Sequence, residues 1–153
     1  MIRCLPATCL VFAFSAMACA QAAERPRVTF INSESAKAAN YPFSQAVQVG
    51  HTLYLSGQIG TDPANGKLVT GGIVAEARQA MQNIKDLLAG QGHSMRDVVK
   101  CTVMLADIKE WPAFNEVYRG FFDGDYPARS AFAGSGLALG ARAEVECIAV
   151  VAN

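Results

Sequence analysis

Hydrophobic positions change period along this chain, and the changes mark out its elements. Ala46-Val-Gln-Val and Thr52-Leu-Tyr-Leu flank Gly50-His51. Two extended runs around a two-residue turn led by glycine predict a β-hairpin, since glycine accepts the positive φ of such a turn. Val28 to Ile31 predicts an earlier strand, and Thr61-Asp-Pro-Ala-Asn-Gly a dense turn with Asn65-Gly66 at its tip. From about Ile73 to Ala89 the period lengthens. Ala77, Ala80, Met81, Ile84, Leu87 and Leu88 recur at helical spacing, with Glu76, Gln79, Lys85 and Asp86 expected mostly on the opposite side. Gly90 is expected to end this helix in the left-handed conformation.

Ser94-Met-Arg-Asp97 has the form of a capping box opening a short turn. Val98 to Leu105 returns to strand character. A second helix is expected near Trp111-Pro112, where proline suits the first turn, with Phe114, Val117, Tyr118 and Phe121 as its core stripe. Past the Asp123-Gly124 turn, Ala128 to Ala133 predicts a strand, Ser135 to Gly140 a glycine-rich loop, and Ala143 to Val151 a closing strand. The order is β-β-β-α-β-α-β-β. Such an alternation gives an α+β fold, a mixed sheet with two helices on one face.

The N-terminus reads differently. Arg3 is the only charge before Glu24, an apolar run follows from Leu10 to Ala20, and small residues cluster as Ala18-Cys19-Ala20 and Ala20-Gln21-Ala22. A positive residue, a short apolar segment and an A-x-A site predict a secretory signal over residues 1–22, removed on export to the periplasm or beyond. Residues 23–153 then form one domain, large enough to bury about two-thirds of the unfolded chain's surface. An uncleaved anchor or a misplaced start is the alternative. The chain carries 13 basic and 13 acidic side chains. Losing Arg3 leaves 12 against 13, with no basic patch of the kind an electrostatic nucleic-acid binder requires. No later segment is apolar enough for a membrane span.

Removing the leader also removes Cys4, Cys9 and Cys19, leaving Cys101 and Cys147 in strand-like stretches. Export permits a disulfide between them; two buried thiols fit equally well. His51 and His93 lack a second ligand at metal spacing, and there is neither a phosphate-binding glycine loop nor a GxSxG elbow. The remaining chemistry lies at strand ends. Arg129 opens an apolar strand, and Glu144 and Glu146 share one face of the last strand. A carboxylate there must be solvated, paired or functional, and a simple salt bridge or exposed rim charges would account for both Arg129 and Glu144.

Tyr126-Pro-Ala-Arg-Ser130 resembles the (F/Y)PxRS signature of the RidA (YjgF/UK114) family, and residues 137–150 resemble its closing strand. Pro42-Phe-Ser-Gln-Ala-Val, Leu55-Ser-Gly-Gln-Ile59, Ala77-Arg-Gln-Ala-Met-Gln-Asn-Ile84, Val98-Val-Lys-Cys-Thr-Val103 and residues 114–122 match further landmarks in order, so the resemblance spans residues 40–151. It implies a chorismate-mutase-like six-stranded subunit in a homotrimer, with sites between subunits and neither metal nor cofactor. The implied activity is hydrolysis of 2-aminoacrylate and related enamines or imines to 2-keto acids and ammonia. By position Arg129 matches the residue that holds the substrate carboxylate, Glu144 the acid near the catalytic water, and Ser56, Gly57, Asn115 and Phe43 other site positions.

Three positions depart from the family pattern. Phe43 replaces a tyrosine, Ala131 a cysteine or polar residue, and Ala138 a common proline. The lost hydroxyl at Phe43 bears on substrate range or rate and, with the exported location, favours the competing reading of a non-catalytic trimer that binds small carboxylates or a protein partner. A ribonuclease or holdase role, attributed to some relatives, finds no clustered Lys or Arg for an RNA grip.

Overall fold

The computed structural model describes residues 25–152. The expected leader at 1–22 lies outside them. Six strands form one sheet: β1 (Val28–Ile31), β2 (Ala46–Val49), β3 (Thr52–Ile59), β4 (Val98–Leu105), β5 (Ala128–Ala133) and β6 (Ala143–Val150). They lie side by side in the order β1-β2-β3-β6-β4-β5. Only β4 and β5 run parallel; every other neighbouring pair is antiparallel. The mixed sheet expected from the pattern is therefore present. Among the described residues no helix is long and apolar enough to cross a membrane, and no group of His, Cys, Asp and Glu is placed to hold a metal.

The helices are α1 (Glu34–Ala38), α2 (Gly72–Ala89) and α3 (Trp111–Arg119). The five-residue α1 was not expected from periodicity, being too short to show one; Ser33 caps it by accepting from the Ala36 N–H. Helix α2 buries Ala77, Ala80, Met81, Ile84 and Leu88 on one sheet face, and α3 adds Phe114, Val117 and Tyr118. Each fully buried Leu, Ile, Met or Phe contributes about 1.5–3 kcal/mol. Phe121 packs against this core from beyond the end of α3. The Ser94–Asp97 capping box forms as expected.

Two helix expectations need correction. Gly90 is right-handed (φ −62°), and the left-handed residue is Gly92 (φ 80°). The chain makes one more turn beyond Gly90, in which the N–H groups of Gln91, Gly92 and His93 reach back to carbonyls of residues 88 and 89. Glu76, expected on the solvent side, is 6% exposed. Its carboxylate accepts from the Arg142 backbone N–H at 2.7 Å, while the Arg142 guanidinium binds Glu110. A charge so placed is tolerable because it is hydrogen-bonded, and it ties α2 to the start of β6.

Cys101 and Cys147 sit opposite each other on β4 and β6 and are joined as a disulfide, with Cα atoms 4.1 Å apart. Of the two arrangements the sequence allowed, the structure carries the bonded one.

Candidate active site

Strand parity decides which predicted residues can meet. Directly paired residues of neighbouring strands project to the same sheet face. Arg129 on β5 is level with Cys101, whose side chain is buried beneath the helices. Glu144 on β6 lies between fully buried Ala143 and Val145, and so projects to the other face. The candidate residues accordingly fall into two groups, one on each side of the sheet.

On the helix side, Arg129 donates through Nη2 to Asn115 Oδ1 at 2.7 Å. Its guanidinium carbon lies 4.6 Å from the centre of the Tyr118 ring, a cation–π contact. Asn115 and Tyr118 are three residues apart on α3, the spacing that puts side chains on one helix face. Aromatic rings continue from Tyr118 to Phe122 (centroids 4.8 Å apart) and from Phe122 edge-on to Tyr126 (6.2 Å). A cavity of about 330 Å³ opens here, lined by Asn115, Tyr118, Arg119, Tyr126, Pro127 and Arg129. Tyr118 is 3% exposed, and its buried hydroxyl has no hydrogen-bond partner among the described residues. Burial pushes the phenol up to about 12, with the Arg129 charge pulling the other way, so the hydroxyl is a neutral donor at physiological pH.

On the open side, Glu144 meets the bulge of β3. Leu55 pairs with Cys147 and Gln58 with Val145, so β3 advances three residues where β6 moves two. Ser56 and Gly57 occupy this irregularity, a device that re-aims side chains beside functional sites. The Ser56 hydroxyl donates to the Ser44 carbonyl at 2.6 Å. An added Cβ at Gly57 would lie 2.0 Å from Glu144 Oε1, so only glycine leaves room for that carboxylate. Phe43 precedes Ser44 and stacks on Tyr41 (5.3 Å, 6° between planes). The group at this end is Glu144, Ser56 and Gly57, with Phe43 at its margin.

Tyr118, expected only as core, and Arg119, not among the expected site residues, both line the cavity at Arg129. Their signal was available: Asn115, Tyr118 and Arg119 stand at i, i+3 and i+4 of one helix. A larger hollow of about 1000 Å³, between α2 and the 120–128 loop, contains none of the predicted site residues. Its charges are mixed, with Arg96 3.5 Å from Asp123.

A family model described as endoribonuclease L-PSP matches residues 33–151. The chain belongs to this family, the RidA family. A mouse RidA-family protein named 2-iminobutanoate/2-iminopropanoate deaminase is 48% identical over 120 residues, which are 78% of this chain and 89% of the relative. The crystal structure of yeast YEO7 is 41% identical, with a TM-score of 0.76 over 82% of this chain and 100% of its own. RidA from the Antarctic bacterium Psychrobacter is 35% identical, with a TM-score of 0.71 over 84% of this chain and 99% of its own. The six-stranded RidA architecture expected from the motifs is the one present.

Proposed function

We propose that this chain is a hydrolytic deaminase of 2-imino acids, and of enamines such as 2-aminoacrylate that tautomerise to them, releasing a 2-keto acid and ammonia. The observation that carries this reading is Arg129: a guanidinium on a cavity wall, seated on Tyr118 and oriented by neutral Asn115. No carboxylate among the described residues pairs with it. A planar guanidinium in that state can take a substrate carboxylate through two parallel hydrogen bonds. Fixing the carboxylate fixes the adjacent C=N carbon. Glu144 accepts a proton from a water as its oxygen bonds to that carbon; the nitrogen gains protons, the C–N bond breaks, and ammonia leaves a C=O behind. One imine and one water give one keto acid and one ammonia.

Because Arg129 and Glu144 face opposite sides of the same sheet, this chemistry needs a second subunit to bring them to one substrate. We infer a homotrimer, the number coming from the resemblance to the family. The open sheet face supports association: Val28, Phe30, Tyr54, Phe132 and Val150 are all exposed, Phe30 by 70%. We also propose that residues 1–22 direct export, so that protein recovered from the periplasm begins near residue 23.

The test is ammonia release from 2-iminopropionate generated in situ. Arg129→Ala is expected to lose about 100-fold or more in kcat/KM, two charge-assisted hydrogen bonds being removed, with its melting temperature nearly unchanged. An Arg129→Ala protein working at full rate contradicts the proposal. Binding of keto acids without any ammonia release would leave a carboxylate-binding protein instead.

A further inference from the structure

The cavity at Arg129 holds more positive charge than one carboxylate requires. Its six lining residues include two arginines, Arg119 and Arg129, and no acid. Arg119 stands at the last position of α3, one helical turn beyond Asn115, so both face the same hollow. Among the described residues only its Nη1 is engaged, by Glu116 at 2.7 Å, and this pair is open to solvent, with 60% and 74% of the two side chains exposed. Exposed i,i+3 pairs of this kind are weak, so Glu116 is readily displaced by a better-placed anion. The remaining guanidinium donors of Arg119 have no hydrogen-bond partner among the described residues.

Two guanidiniums in one acid-free hollow favour a dianion over a monoanion. The buried Tyr118 ring strengthens the attraction at Arg129 relative to open water, while Arg119 stands at the solvent-exposed rim. At about 330 Å³ the cavity is at the small end of ligand pockets, which suits a small acid. We propose that Arg119 is a specificity-determining residue that takes a second carboxylate, so that the preferred substrates are 2-imino dicarboxylic acids, the imines of acidic amino acids. Arg129 holds the carboxylate next to the reacting carbon and Arg119 the one at the far end of the chain. The inference rests on the deaminase reading only for the word substrate; the two-point grip on a dicarboxylate stands on the cavity.

Binding and turnover separate the two ideas. By calorimetry, 2-oxoglutarate is expected to bind the wild-type protein about tenfold or more tightly than 2-oxopentanoate, which has the same chain length and lacks the second carboxylate. Arg119→Gln should bring that ratio close to one, and Arg119→Lys should retain part of it. The kcat/KM ratio for 2-iminoglutarate against 2-iminopentanoate should follow the same order. A tenfold binding preference that Arg119→Gln abolishes upholds the inference even if neither imine is turned over, an outcome that would overturn only the deaminase reading. Equal binding of the two keto acids, binding of neither, or a preference untouched by Arg119→Gln overturns the inference even if imines are hydrolysed.

Discussion

Gly57 and Glu144 share so little space that one methyl group tests their relationship. The first obstacle to a Cβ at Gly57 is the end of the Glu144 side chain, Oε1 at 2.0 Å and Cδ at 2.8 Å. That side chain can swing aside, so Gly57→Ala should cost less than about 2 kcal/mol of stability while lowering kcat/KM about tenfold or more. Denaturant unfolding and ammonia release on the same preparation separate the two effects. Tyr118 carries a pH signature. Its phenol is raised to about 12 against 10.0 in an unfolded chain. Between those values the unfolded chain has lost a proton that the folded one keeps, so stability falls as pH rises from 10 to 12. Tyr118→Phe, which keeps the ring beneath Arg129, removes this contribution. Urea midpoints measured from pH 9 to 11.5 should therefore fall less steeply for the variant than for the parent.

At the scale of elements, β3, β4, β6 and the two long helices were legible because their periods differ over runs of eight residues or more, and the shorter β1, β2 and β5 because turn residues bound them. What escaped was set by single residues or by distant partners. The extra residue in β3 leaves no mark on its own alternation and appears only in the pairing with β6, about 90 residues later in sequence. Glu76 is expected on the solvent side because it is charged; its partner, the Arg142 N–H, lies 66 residues away. Arg129 and Glu144 could each be named from motifs, but that they face opposite sides depends on β4 lying between β6 and β5. The cysteines were open for the same reason. Their disulfide joins β4 to β6 across 46 residues of sequence, level with Arg129 on β5. Loop-closure entropy puts such a bridge at about 2–4 kcal/mol. Replacing both Cys101 and Cys147 by alanine should lower unfolding stability by that amount, and a reducing agent should lower the parent and leave the double variant unchanged.

For the whole molecule, one sheet separates the two groups of candidate residues. The helix face offers Arg129, Asn115 and Tyr118 around a cavity, and the open face offers Glu144 beside Ser56 and Gly57. In the proposed trimer, the exposed apolar side chains of β1, β3, β5 and β6 are the surface on which another subunit brings the two groups together. That geometry predicts complementation between two inactive variants. Arg129→Ala and Glu144→Gln proteins, each inactive alone, should recover activity when unfolded together and refolded in equal amounts. If subunits mix at random and each site takes its arginine and its glutamate from adjacent subunits, about one site in four is intact. Ammonia release from 2-iminopropionate by the refolded mixture, compared with the parent treated identically, measures this directly. Sites shared between adjacent subunits should give about a quarter of the parent rate; no activity above that of the separate variants would contradict such sharing.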